Sequence, residues 1–406
     1  MTPAIAKETR VDTNPVTEAL GRPLRLAVIG GGPGSFIGAT HRAAARLDGR
    51  YEIVAGCISS DPATSMAAAG AVGIDASRAY GDPVAMLDAE AARDDGAEVA
   101  AIMTPNDSHY AYSMAALARG FDVICDKPIT NTLDEARAID DMVESSGLVF
   151  CLTHNYTGYP LVRQARAMVS DGSLGEIRLV QVEYVQGGKA SEDDPDPGAG
   201  FPWRFDPVRG GPSLVMGDIG THAHNLIRFI TGLEVTEVAA EVGHVVPGRL
   251  VDDYAAAMLR FDNGARGTFW VTQAAAGVEN CLRIRVSGTR GTVEWEQECP
   301  TRLVFKPLEG TATVYTPNGP GLRPFATRAS RIVAGHPEGF HEAFANLYSD
   351  AAEAIAARRT GTRADPDALA FPNARDGVMG VRFIDAAIAS AGNGGAWTDA
   401  TLGEAT

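Results

Sequence analysis

No stretch of the chain approaches the roughly 18 consecutive apolar residues of a membrane-spanning helix, so no membrane span is expected. Basic residues are also scarce: 35 Lys and Arg face 51 Asp and Glu, a formal net charge of -16. Nucleic acid demands a basic face and anionic lipid attracts polybasic segments, so both are excluded as partners, and the acidity reads as solubility. There are only five cysteines, Cys57, Cys125, Cys151, Cys281 and Cys299, and no CxxC spacing. That usage excludes a disulfide framework and a thiolate metal site, and it fits free thiols in a cytoplasmic protein. Aromatics are sparse at 7%, yet 45% of residues are hydrophobic, enough for an ordinary core. Residues 1–22 have neither an apolar signal core nor a twin arginine and read as a flexible leader.

Organisation begins at Pro23. Short apolar runs at 24–29, 51–58, 99–103, 122–125 and 148–152 read as buried strands, separated by Ala-rich helical stretches at 39–47, 107–119 and 132–144. Alternation of this kind implies right-handed crossovers and a mostly parallel, doubly wound sheet over residues 23–153. A helix over about 161–170 follows, and then the texture changes. Residues 177–184, 255–261, 267–271, 282–286 and 292–295 alternate apolar with polar residues, which predicts half-exposed strands of a largely antiparallel sheet. Residues 154–391 therefore read as an α+β domain whose sheet leaves one face open to solvent or to a partner subunit. Residues 187–211, dense in Asp, Pro and Gly, form a long loop, and long loops in compact domains are often functional. The last helix, about 374–391, is expected to pack back on the first domain, with 392–406 as a tail.

Three segments carry chemistry. After the first strand, Gly30, Gly31 and Gly32 lead through Pro33, Gly34, Ser35, Phe36 and Ile37 to Gly38 at the start of a helix. Glycines let backbone amides approach a pyrophosphate, and a helix N-terminus adds donors and partial positive charge. Counted from Gly30, GxGxxG finds Ser35 in the last position, and Gly38 looks like that glycine displaced by a three-residue insertion. At the end of the second strand stand Ser59, Ser60 and Asp61. No Lys or Arg follows to neutralise a 2′-phosphate, and Asp61 is available for a ribose hydroxyl, so the reading is NAD, with NADP as the alternative.

The second segment is Asp126-Lys127-Pro128, at the carboxyl end of the strand 122–125, where ligands of open α/β sheets bind. The third is Gly217-Asp218-Ile219-Gly220-Thr221-His222, heading a helix on which Asp218 and His222 stand four apart on one face. A neutral imidazole is a suitable base for a hydroxyl proton, and an ammonium stabilises developing alkoxide. The carboxylate would orient the base or hold a neighbouring substrate hydroxyl. Taken singly, Lys127 also reads as a surface lysine, Asp218 as a helix N-cap and His222 as a core histidine. A metal is rejected: His222 and His224, two apart on a helix, diverge by about 200°, and His41 and His154 lie on other elements.

The glycine turn, Asp126–Pro128 and Asp218–His222 together resemble the glucose–fructose oxidoreductase / inositol dehydrogenase / MocA (Gfo/Idh/MocA) family over about residues 23–391. In that family a Glu-Lys-Pro lysine and a DxxxH pair form the catalytic constellation, which implies Lys127, Asp218 and His222 here, with Asp126 replacing the usual glutamate. The resemblance also implies nicotinamide contacts at Thr104, Pro105 and Asn106, with His109 starting the next helix. Asn155 and Tyr156 stand where many members carry Tyr-Arg, although Thr157 occupies the arginine position. Trp203 and Arg204 resemble a Trp-Arg element near the site, suited to stacking on a ring and donating to hydroxyls. The expectation is thus an NAD-dependent dehydrogenase acting on a secondary ring hydroxyl of a neutral sugar, anhydrosugar, glycoside or cyclitol, carbon 3 of a pyranose being one candidate. It would assemble as a homodimer or homotetramer through the open sheet face. An NADPH-linked keto-sugar reductase and a non-catalytic sugar- or dinucleotide-sensing regulator are the alternatives.

Overall fold

Two sheets organise the chain, and the computed structural model describes residues 14–191 and 202–403. Residues 14–22 are not a loose leader. Asn14 caps α1 (Pro15–Leu20) by accepting from the Thr17 amide, Pro15 opens the helix, and Gly21 ends it in the left-handed conformation. Val16 is fully buried and joins a core cluster with the helix Phe340–Thr360, so the segment is held by packing. Residues 1–13 lie outside the described residues.

The first sheet is wholly parallel. It comprises β1 (Leu24–Gly30), β2 (Tyr51–Cys57), β3 (Val99–Met103), β4 (Asp122–Cys125) and β5 (Phe150–Leu152), in the order β2-β1-β3-β4-β5. A single parallel bridge from Gly56 to Ala79 stands where another strand would extend the sheet beyond β2. Every residue of β3, β4 and β5 is buried, which is why these strands read as unbroken apolar runs. Around them lie α2 (Phe36–Leu47), α3 (Pro62–Ala68), α4 (Pro83–Ala91), α5 (His109–Leu117) and α6 (Leu133–Ser146). Aspartates cap α3 and α4, each followed by Pro at the first helical position.

The chain then crosses through α7 (Pro160–Ser170) into β6 (Ile177–Val185), α8 (Thr221–Thr231), β7 (Val235–Gly243), β8 (Tyr254–Phe261), β9 (Arg266–Thr272), β10 (Cys281–Gly288), β11 (Gly291–Glu296), β12 (Leu303–Pro307) and β13 (Thr313–Tyr315). After α9 (Pro324–Thr327), α10 (Phe340–Thr360) and α11 (Ala374–Gly392), the edge strand β14 (Thr398–Asp399) completes a nine-stranded sheet. Its order is β13-β12-β11-β10-β6-β9-β8-β7-β14, antiparallel except for β6 beside β9. One face packs on α7, α8 and α11; the other exposes Leu179, Met258 and Trp270.

The last helix joins both halves. Val378 and Val381 of α11 belong to the core of the parallel sheet, while Phe383 and Ala387 belong to that of the large sheet. The segment read as a tail is instead structured up to residue 403, because β14 pairs with β7 and Ala400 is buried; residues 404–406 lie outside the described residues. The helix α10 had no sequence counterpart. It is Ala-rich and buried along most of its length, so it lacks the polar face that makes a helical period visible.

Candidate functional site

Strand order reverses at β1, where β2 and β3 flank it on opposite sides, and a crevice opens there at the carboxyl ends of the strands. It continues towards the large sheet as one cleft of about 1210 Å³. The glycine turn floors one end. Gly30, Gly31 and Gly34 have φ of 81°, 68° and 86°, a conformation that strains any residue with a Cβ. A Cβ at Gly38 would stand 2.2 Å from the Gly31 carbonyl oxygen, so α2 packs on the turn only because residue 38 lacks a side chain. Gly38 therefore fills the helix-packing role of the displaced last glycine. Ser35 caps α2 by accepting from the Gly38 amide at 3.1 Å.

Most of the site residues predicted in the first domain line this cleft: Gly30, Gly34, Ser35, Phe36, Ile37, Ser59, Ser60, Thr104, Pro105, Asn106, Asp126 and Lys127. Three do not. Gly32 backs onto the Ile58 carbonyl, which a Cβ would meet at 2.7 Å. Asp61 turns away to cap α3, accepting from the Thr64 amide at 2.7 Å, because a free helix amide lies within reach of its short side chain. His109 is fully buried, its ring nitrogens 2.7 Å from the Pro128 carbonyl and 2.9 Å from the Thr104 carbonyl. It staples two cleft-lining segments together instead of facing the cleft. Asn106 donates to the Gly210 carbonyl at 3.0 Å, tying the first domain to the long loop.

At the other end, Lys127 Nζ donates to the backbone carbonyl of Asp218 at 2.5 Å and to its Oδ1 at 3.1 Å. Asp218 sits in a π-helical turn, Met216–Gly220, that precedes α8; such wider turns recur at functional sites. The sequence spacing implied that Asp218 and His222 share a regular helical face, but their side chains engage different partners. Asp218 Oδ2 accepts from Gln273 Nε2 at 2.8 Å and faces Lys189 Nζ at 3.5 Å, and the Arg204 guanidinium lies 4.0 Å from Oδ1. The His222 ring instead lies edge-on to His154 and Tyr156, with its Nδ1 3.4 Å from His154 Nδ1. His154, not Asp218, orients the imidazole.

Burial and charge set the ionisation of this cluster. Burial opposes the Asp218 carboxylate, yet Lys127, Lys189, Arg204 and the Gln273 amide outweigh it and hold the group far below the ordinary range. His222 is pushed well below its usual value, first by burial and then by the Lys127 charge, with Asp218 opposing. Burial, with Lys127 and Arg228, pushes His154 down to about 3. Both imidazoles are therefore neutral at neutral pH.

Residues 24–154 match the model of an oxidoreductase family with an NAD-binding Rossmann fold, and residues 162–294 match the GFO/IDH/MocA C-terminal domain. The uncharacterized oxidoreductase YfiI of Bacillus subtilis is 32% identical over 383 residues, covering 94% of this chain and 98% of that protein. The chain belongs to the GFO/IDH/MocA family of oxidoreductases. Among solved family structures, an oxidoreductase from Sinorhizobium meliloti is 44% identical with a TM-score of 0.83, covering 93% of this chain and 99% of its own. An inositol dehydrogenase homolog from Azotobacter vinelandii, complexed with NADH and myo-inositol, is 35% identical with a TM-score of 0.86, covering 94% of this chain and 98% of its own.

The family's dinucleotide fits the first half of the cleft. The glycine turn presents bare backbone and the first turn of α2 to it, the combination that receives a pyrophosphate. Neither Arg42 nor Arg78 is free for a 2′-phosphate beside Ser59 and Ser60. Arg42 is turned inward onto the Gly31 carbonyl, and Arg78 is paired with Glu90 and Asp95.

The second half of the cleft holds the predicted Asn155, Tyr156, Trp203, Arg204, Asp218 and His222. Asn155 and Tyr156 lie buried in a 3₁₀ turn after β5, and the Arg204 guanidinium sits over the Trp203 ring at 4.3 Å. Lys189, Gln273, Tyr184, Gln186 and Asn280 were not anticipated. Lys189 lies in the long loop, and its position there was the only signal. Tyr184 lies in β6, Gln186 just after it, Gln273 just after β9 and Asn280 just before β10, and only the pairing of those strands brings them together.

Proposed function

We propose that this enzyme is an NAD-dependent dehydrogenase that oxidises a secondary ring hydroxyl of a neutral sugar, anhydrosugar, glycoside or cyclitol to the ketone. The observation that carries the reading is the convergence of Lys127, Asp218 and His222 on one cleft whose far end is the glycine turn. When bound, NAD supplies the hydride acceptor. His222, held neutral, takes the hydroxyl proton. The Lys127 ammonium stabilises the developing alkoxide, and Asp218 fixes Lys127 by two contacts. NAD is favoured over NADP because a 2′-phosphate beside Ser59 and Ser60 would meet no available Arg42 or Arg78.

A neutral ring is supported by how the cations are used. Lys127, Lys189 and Arg204 are all gathered around Asp218, and Arg204 also stacks on Trp203. The relative solved with myo-inositol supports a cyclitol within this class. Against the reductase alternative, Arg42 and Arg78 are engaged and do not meet the extra phosphate of NADPH, and the intact cluster argues against a regulator without turnover. We assign residues 23–153 to the dinucleotide and 154–391 to substrate and association, as a homodimer or homotetramer formed through the face carrying Leu179, Met258 and Trp270. Five free cysteines favour the cytoplasm. The test is a panel of neutral sugars, cyclitols, sugar acids and sugar phosphates assayed with NAD and NADP. Oxidation of a neutral ring with NAD is expected, with product analysis to show whether carbon 3 of a pyranose reacts; preference for an anionic compound or for NADP refutes the reading.

A further inference from the structure

The wall of the cleft beside β6 carries polar side chains whose hydrogen-bond directions are fixed. Two charged groups set the polarity, since an ammonium only donates and a carboxylate only accepts. Lys189 Nζ lies 2.6 Å from Gln273 Oε1, so Gln273 Nε2 faces Asp218 Oδ2. The same Nε2 donates to Gln186 Oε1 at 3.0 Å, which turns Gln186 Nε2 onto Asn280 Oδ1 at 2.6 Å. Tyr184 Oη stands 2.8 Å from that same Asn280 oxygen, so the one proton of Tyr184 is committed to it. The hydroxyls of Tyr156 and Tyr184 are hydrogen-bonded to each other. With the Tyr184 proton spent, Tyr156 is the donor of that bond, and its proton is spent too. Asn280 Nδ2 donates to Gln297 Oε1 at 3.0 Å, which keeps the amide from turning over. Burial raises both phenols above their ordinary value, so the protons stay in place.

We infer that Asn280 is a specificity-determining residue. As the common acceptor it takes the Tyr184 proton and one Gln186 amide hydrogen, the other lying towards Tyr184 Oη at 3.4 Å, and through Tyr184 it commits the proton of Tyr156 away from the substrate. Tyr156, Tyr184, Gln186 and Asn280 all line the cleft, so this wall meets a ligand with acceptors. It selects a ring that brings hydroxyl protons to it, and it discriminates against a ring with an ether, fluorine or carbonyl at the facing position. Among the described residues the phenol oxygens take only long contacts from Gln186 Nε2 (3.4 Å, to Tyr184) and Asn280 Nδ2 (3.5 Å, to Tyr156) besides their mutual bond; such a ring sets a lone pair against oxygens that have no proton to offer, and sites built to pair with a substrate hydroxyl penalise its loss heavily. The inference rests on the reading of the cleft as a polyol site and names the feature of the polyol that is read.

The test compares myo-inositol, D-glucose and methyl α-D-glucopyranoside with their monodeoxyfluoro analogues, one hydroxyl at a time, in the NAD-saturated full-length enzyme. At one position the wild-type KM is expected to rise about tenfold or more on replacing hydroxyl by fluorine. Asn280→Leu frees the Tyr184 and Tyr156 protons to turn into the cleft, and the penalty should shrink to within about threefold. Asn280→Asp keeps the common acceptor and should keep the wild-type penalty. A wild type indifferent to fluorine at every position overturns the inference and needs no variant, as does an Asn280→Leu enzyme with an undiminished penalty. If the wild type oxidises neither these nor any other neutral ring of the panel, the polyol reading falls and this inference with it; where another neutral ring is the one oxidised, its monodeoxyfluoro analogues take their place; if rings are oxidised without discrimination, only the inference falls.

Discussion

Replacing Lys127 by Met removes the ammonium while keeping most of the side-chain volume. The side chain is 13% exposed and its Nζ holds both the carbonyl and the carboxylate of Asp218. Two unit charges 4 Å apart interact by about 4 kcal/mol at an effective dielectric near 20. An alkoxide developing beside Nζ would thus lose at least about 3 kcal/mol of stabilisation, roughly a hundredfold in kcat. Asp218 keeps Lys189, Arg204 and Gln273, so the fold should survive. NAD binding should also survive, because the glycine turn lies at the other end of the cleft. A second consequence has a definite sign. The Lys127 charge is one cause of the depressed His222 pKa, so removing it raises that pKa, and the acidic limb of the residual activity should move to higher pH. Steady-state reduction of NAD followed by absorbance across pH gives both quantities, and fluorescence titration with NADH checks the cofactor site. A well-folded Lys127→Met enzyme within about tenfold of wild-type kcat, or one whose acidic limb moves to lower pH, refutes the assignment.

Other outcomes follow from the same geometry. Because burial and Lys127 hold the His222 imidazole well below its ordinary 6.5, wild-type activity should be level above that pH and fall only as pH drops through the lower value. His222→Asn should lower kcat by about two orders of magnitude and flatten that limb; an unchanged limb means that another group is the base. Asp350 is fully buried, 2.6 Å from Arg163 and 3.1 Å from Arg328. Asp350→Ala strands the buried Arg163 guanidinium and should cost about 3–5 kcal/mol in urea unfolding, whereas a loss below about 1 kcal/mol would show that this ion network does not hold α7 to α10.

Much of the molecule was legible because its signals are local. The apolar runs of β1, β3 and β4 follow from burial on both faces, and the glycines at 30, 31, 34 and 38 from backbone conformation and close approach. The motifs around Lys127 and His222 mark residues that the fold brings to one cleft. What they left open was which atom meets which. Asp61 and His109, plausible cofactor ligands by position, were claimed by an adjacent helix amide and by two nearby carbonyls. The partner of His222 is His154, which arrives from the end of β5 across the domain seam. Lys189, Gln186, Gln273 and Asn280 form one polar array only because β6 pairs with β9 on one side and β10 on the other. Sequence alone determined the dinucleotide turn and the two kinds of sheet, and it supplied the candidate site's motifs, since each depends on a few consecutive residues. Tertiary structure decided the partners, because a side-chain hydrogen bond is set within a few tenths of an ångström by strand register and helix packing between segments far apart in the chain.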